Sequence, residues 1–131
     1  ISAAEFREGA AKSAVVYLPW PDKRLNPNAR VHWATLARVK KAAKHTAYYS
    51  ALQAGIGKIN ADSAMVSYSF FPPDRRPRDI DNLIASMKAA NDGLASAIGV
   101  DDSAWTIRIE PRGAVEKNGM VKVEIEWQAQ A

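Results

Sequence analysis

Residues 74–82 read DRRPRDIDN, three aspartates and three arginines in one short segment directly behind an apolar run. Such a mixture supports two chemistries. The acids can hold a hard cation while the bases hold a polyanion, or the acids can cap a helix while the bases face solvent. Asp79 and Asp81 alternate across one residue, a spacing at which an extended chain turns both carboxylates to one side, and that pair suits a single hard ion. Asp101 and Asp102 enter a later strand that could return beside the earlier one and bring another carboxylate to the same end. A hard ion wants several oxygens, so acids from two segments make sense where one pair would not suffice. The plainer alternative stays open at each position: Asp79 or Asp81 as an N-cap, Asp101 and Asp102 as a turn, and Asp92 as a surface partner of Lys88.

The segment between these acids reads as an amphipathic helix. Ile80, Leu83, Ile84, Met87, Leu94 and Ile98 recur at three- and four-residue steps, and Gly99 supplies a left-handed stop. Asp81, Lys88 and Asp92 fall nearly in one line off that stripe. A lysine side chain slants toward its helix N-terminus, so Lys88 leans toward Asp81. Arg75, Arg76 and Arg78 stand just before that terminus, whose free N–H groups also attract anions.

Composition narrows the ion. The chain has no cysteine and only His32 and His45, so a bound metal would sit on oxygens, which points to Mg2+ or Mn2+ rather than zinc or copper. A net charge of +4 and a pI near 9.5 favour an acidic partner, most commonly nucleic acid. The longest apolar runs are far shorter than a membrane span, so a soluble cytoplasmic protein with no membrane partner is expected.

The remaining elements must position this segment. Residues 1–13 lack a sustained apolar period and read as a loose arm or a remnant of expression; 14–128 reads as one domain, as 131 residues allow. AVVYLPW (14–20) is a strand stopped by prolines, and 21–33 is a Pro- and Asn-rich loop. Residues 34–54 hold no Pro or Gly and predict a helix with Leu36, Val39, Ala43, Ala47 and Ala54 on its apolar side. Its other side carries Arg38, Lys41 and His45, flanked by Lys40 and Lys44, either a solvated face or one that touches phosphates. Residues 63–72 predict a second strand. Two more alternate cleanly around Trp105–Ile109 and Val121–Trp127, and KNG (117–119) between them predicts a hairpin. The sum is an α+β domain: a mixed sheet of about four strands with two main helices, in the order β-α-β-α-β-β.

RRPRDIDNL, then KAANDGL, then GVDDS, with LPWP (18–21) upstream, resembles the RusA-type Holliday junction resolvases from about residue 15 to 127. The resemblance implies a RusA-like fold of bacterial or phage-derived origin. It implies a Mg2+- or Mn2+-dependent endonuclease that acts as a homodimer on four-way DNA junctions and nicks two strands symmetrically. Its essential acids fall on Asp79, Asp81 and Asp102, with Asp101 beside the last. Its lysine falls on Lys88 with about three extra residues after Asn82, one helical turn; without them the position is Ala85. Arg75, Arg76, Arg78, Arg30, Arg38 and Lys41 would then hold the DNA backbone. Three other readings stand beside this one: a catalytically silent DNA-binding relative, a nuclease preferring other branched DNA, and, last, a nucleotide-sugar transferase suggested by D-x-D.

Overall fold

A computed structural model describes residues 11–128. Up to residue 10 the expected arm lies outside the described residues. Ala11–Ser13 already belong to the first strand, so the domain starts earlier than the apolar run suggests.

The chain forms β1 (Ala11–Pro19), α1 (Trp33–Gln53), β2 (Ala64–Phe71), α2 (Ile80–Ala85), α3 (Lys88–Ile98), β3 (Trp105–Glu110) and β4 (Met120–Gln128). The sheet is four-stranded and mixed, ordered β1-β4-β2-β3. β4 runs antiparallel to both β1 and β2, while β2 and β3 are parallel. The α+β expectation therefore holds at the level of a mixed four-stranded sheet with helices packed on it.

Period-two alternation decides the two sides of the sheet. Val16, Leu18, Val66, Tyr68, Phe70, Val121, Val123 and Ile125 are buried beneath the helices, packed with Ala47, Ala51, Leu94 and Ile98. The opposite face is polar, with rows such as Val15, Glu124, Ser67, Arg108 and Tyr17, Lys122, Ser69, Glu110 across the four strands. Alanine along α1 lets α3 approach closely. A Cβ added at Gly93 would lie 2.2 Å from the Lys44 carbonyl oxygen, so only glycine fits that crossing. The predicted apolar side of α1 drifts at its end: Val39, Ala47 and Ala51 are buried, whereas Ala54 is exposed.

Two sequence expectations are corrected. The KNG segment does turn, with Asn118 at φ 67° and Gly119 at φ 72°, yet β3 and β4 are not a hairpin, because β2 lies between them. The connection crosses the end of β2, where the Gly113 N–H donates to the Phe70 carbonyl and the Glu116 N–H to the Pro72 carbonyl. The single helix expected over the acidic segment is two helices. At Ser86 the hydroxyl donates to the Asn82 carbonyl at 2.8 Å, and such back-bonding bends helices; the Met87 N–H then reaches Ile84 rather than Leu83. Ile84 is consequently exposed, while Met87, Leu94 and Ile98 are buried as expected. Gly99 stops α3 at φ 75°.

Candidate acidic site and cationic cleft

Lys88 opens α3 and joins two acids. Its Nζ lies 3.1 Å from Asp92 Oδ1, one turn along the helix, and 2.9 Å from Asp102 Oδ2, 14 residues away. Asp102 begins a 3-10 turn (Asp102–Ala104) held by Asp101, whose carboxylate accepts the Ser103 N–H. The Ser103 hydroxyl, and after it that backbone bond, lower the Asp101 pKa. The two carboxylates raise Lys88 to about 12, Asp102 contributing first. Below them lies Tyr68, whose hydroxyl donates to Asn91 Oδ1; burial, then the charge of Asp102, pushes that phenol upward.

Asp79 has the capping role that was one of its two readings. Its Oδ1 accepts the N–H of Asp81 at 2.9 Å and of Asn82 at 3.4 Å, opening α2. Asp81 sits exposed in the first turn. β2 and β3 are parallel with Ala64 opposite Trp105, so Asp102 enters from the end where β2 begins. Asp79 and Asp81 stand at the start of α2, past the end where β2 finishes, and Lys88, seven residues after Asp81, touches Asp102. All-oxygen donors suit a hard ion in kind. In placement they do not: among the described residues no group of three or more histidine, aspartate or glutamate side chains could hold a metal. Lys88 pairs with both Asp102 and Asp92 as they stand.

The arginines are unequal. Asp74 gathers two of them. Arg76 Nη2 donates to its Oδ2 at 2.8 Å, and Arg78 Nη2 donates to its Oδ1 at 2.8 Å. Arg78 also donates to the carbonyls of Asp74 and Arg76 and lies 5.3 Å over the Trp20 ring. These bonds, Arg76 first, hold the Asp74 pKa well below the carboxylate range. Arg75 is exposed beside this knot. The same D-x-R device recurs in the first loop, where Asp22 accepts the backbone N–H and guanidinium of Arg24, lowering Asp22 to about 2. Sequence reading passed over Arg24, although the repeated D-x-R spacing was visible.

Two clefts meet along this side. One, of about 830 Å³, is lined by Trp20, Arg24, Arg76, Arg78, Asp79 and Ser86 among others. The second, of about 510 Å³, brings Arg24, Lys40, Lys41 and Lys44 opposite Lys88 and Asp92. Arg24 and Ser86 border both. Lys41 lines this second cleft, joined by Lys40 and Lys44. Arg38 donates to Thr35 and lines a third cleft, of about 530 Å³, that also reaches Trp20, Arg24 and Ser86, and Arg30 is exposed in the loop before α1.

No family profile matches the chain. An uncharacterized protein of Xylella fastidiosa (strain Temecula1 / ATCC 700964) is 34% identical over 120 residues, covering 89% of this chain and 78% of the relative. The chain belongs to that protein's family. Among solved structures, the hydrogenase maturation protein HypE aligns with 95% of this chain at 17% identity and a TM-score of 0.36. The chain spans 33% of HypE's length. No helix among the described residues is long and apolar enough to cross a membrane.

Proposed function

We propose that the protein is a RusA-type endonuclease that binds four-way DNA junctions as a homodimer and nicks two strands symmetrically, with Mg2+ or Mn2+ required for cutting. One observation carries the reading: Lys88 gathers Asp92 and Asp102 into one exposed contact beside a cleft walled by Arg24, Lys40, Lys41 and Lys44. The lysine and the late acid of the resemblance thus meet where a polyanion is electrostatically welcome.

Phosphodiester hydrolysis needs an activated water, neutralised charge on phosphorus and a stabilised leaving oxygen. A hard ion held by Asp79, Asp81 and Asp102 would supply Lewis acidity. Among the described residues those carboxylates do not form such a site as they stand. This chain's own residues do the following. The cleft lysines hold backbone phosphates, Lys88 offers an ammonium to phosphate charge, and Asp74 fixes the arginine loop at the entrance. A junction offers two equivalent strands, and a two-fold dimer would match that symmetry.

The separation of the carboxylates also favours a second reading, a relative that binds branched DNA without cutting. Incubating the protein with a four-way junction, a flap and a linear duplex, with and without Mg2+, separates the readings. Paired nicks confined to the junction and to the Mg2+ lanes are expected. Asp81→Asn should abolish them while binding holds or tightens, because a negative charge near DNA is removed. Binding without nicks establishes the second reading, and flap cutting establishes a nuclease for other branched DNA.

A further inference from the structure

Trp33, the first residue of α1, is 77% exposed, although tryptophan is on average highly buried. Its position along the helix is informative. Lys40 and Lys44 follow at steps of seven and four, placing all three within about 40° of one line. Those lysines wall the cationic cleft opposite Lys88. Trp33 therefore continues the same wall toward solvent, with the His32 ring tilted beside it at 5.6 Å. From Trp33 to Lys44 the helix rises about 16 Å, the length of about five stacked nucleotides.

A solitary exposed aromatic is unremarkable in itself. One that heads a row of ammonium groups is a different object: a flat apolar surface adjoining sites for anions. Docking a second copy there would bring the lysine row toward a chain that itself carries a net charge of +4. Single-stranded or splayed nucleic acid offers what both parts ask for, a π-face for the indole and phosphates for the lysines. We propose that Trp33 is a base-stacking platform, receiving a nucleobase unstacked at a strand opening while Lys40 and Lys44 hold the adjoining backbone. This rests on the nucleic-acid reading above and adds to it a contact that distinguishes open from continuous DNA.

Wild type, Trp33→Ala and Trp33→Phe are compared in EDTA on three probes: a short single strand carrying 2-aminopurine, a four-way junction with 2-aminopurine at the branch, and a blunt duplex. Trp33→Ala should lose about tenfold in affinity for the first two and less than about twofold for the duplex, with the quenching of 2-aminopurine abolished. Trp33→Phe should keep most of both. Equal losses on all three probes, no loss, or a loss that follows dissociation of an oligomer by sedimentation overturns the platform. Its failure is separable from that of the parent reading. A wild type that quenches the single strand but does not prefer the junction keeps the platform and removes the resolvase. A wild type that prefers the junction, with Trp33→Ala indistinguishable from it, does the reverse. A wild type that binds none of the probes removes both.

Discussion

Two acid–base clusters lie on one side of this molecule, built from the same chemistry and closed to different degrees. The Asp74 knot is local: both arginines come from the next four residues, and Arg78 is further held by two backbone carbonyls and the Trp20 ring. The Lys88 bridge is long-range, tying α3 to the entry of β3 through a side chain that is 67% exposed. The knot is saturated and shapes a loop. The bridge retains capacity, since Lys88 is open to solvent and Asp102 uses one oxygen. Charge alone, then, does not mark a functional residue; what distinguishes the two is how many of a group's bonds the fold has already filled.

The widest separation between them should appear in cleavage. Asp102→Asn is expected to slow junction nicking by about a hundredfold or more, the scale of a lost catalytic group, while Asp74→Asn changes it by less than about threefold. Rates from single-turnover cleavage decide this, and equal losses would erase the difference between the clusters.

Next in size is a packing effect on the scaffold of the bridge. Gly93→Ala drives a Cβ against the Lys44 carbonyl of α1, which no side-chain rotamer relieves. Overpacking of this kind costs about 1–3 kcal/mol, read as a lower urea midpoint. A midpoint equal to wild type would mean that the two helices separate freely, and with them the lysines and acids of the cleft.

Which of these features the sequence made legible follows from the range of the forces involved. α1 was readable because twenty-one residues without Pro or Gly leave a local helix preference unopposed, and the Gly99 stop because a left-handed φ is a property of one residue. Turn chemistry at KNG was equally local and correctly read. Strand partnership was not readable from it, since the position of β4 is settled by the crossing of Gly113 and Glu116 over the end of β2. The break at Ser86 depends on where one hydroxyl points, and hydrophobic spacing across it is nearly that of a continuous helix. As for the site, the meeting of Lys88 with Asp92 followed from helical spacing. Its meeting with Asp102 was implied by the family resemblance and allowed by a later strand returning beside the earlier one, and the capping use of Asp79 stood as one of two readings.

A smaller effect belongs to electrostatics. Lys44→Gln should reduce the slope of log affinity against log salt by about one, as expected for each phosphate contact removed. Arg78→Gln should leave the slope nearly unchanged, because its guanidinium is already engaged by Asp74 and two carbonyls. A full unit lost at Arg78 would show that the knot opens when DNA binds.

The smallest effect, and the one that separates the clusters most cleanly by sign, is the dependence of stability on pH. Asp74 is held below its ordinary range by Arg76 and Arg78. A depressed folded pKa gives stability that is full above the unfolded value, about 3.9, and lost as pH falls toward the folded one. Lys88 is raised from 10.5 to about 12 by Asp102 and Asp92. A raised folded pKa gives stability that is full below the unfolded value and lost as pH climbs through about 12. The urea midpoint of Asp74→Asn should therefore lie below wild type at neutral pH and begin to approach it only as pH falls below about 4. That of Lys88→Gln should converge only between 10.5 and about 12. Both differences should shrink in high salt, since solvent-exposed pairs are screened. Convergence of the Lys88 variant already at neutral pH would mean that the ammonium adds nothing to folding, leaving it entirely available to a bound phosphate.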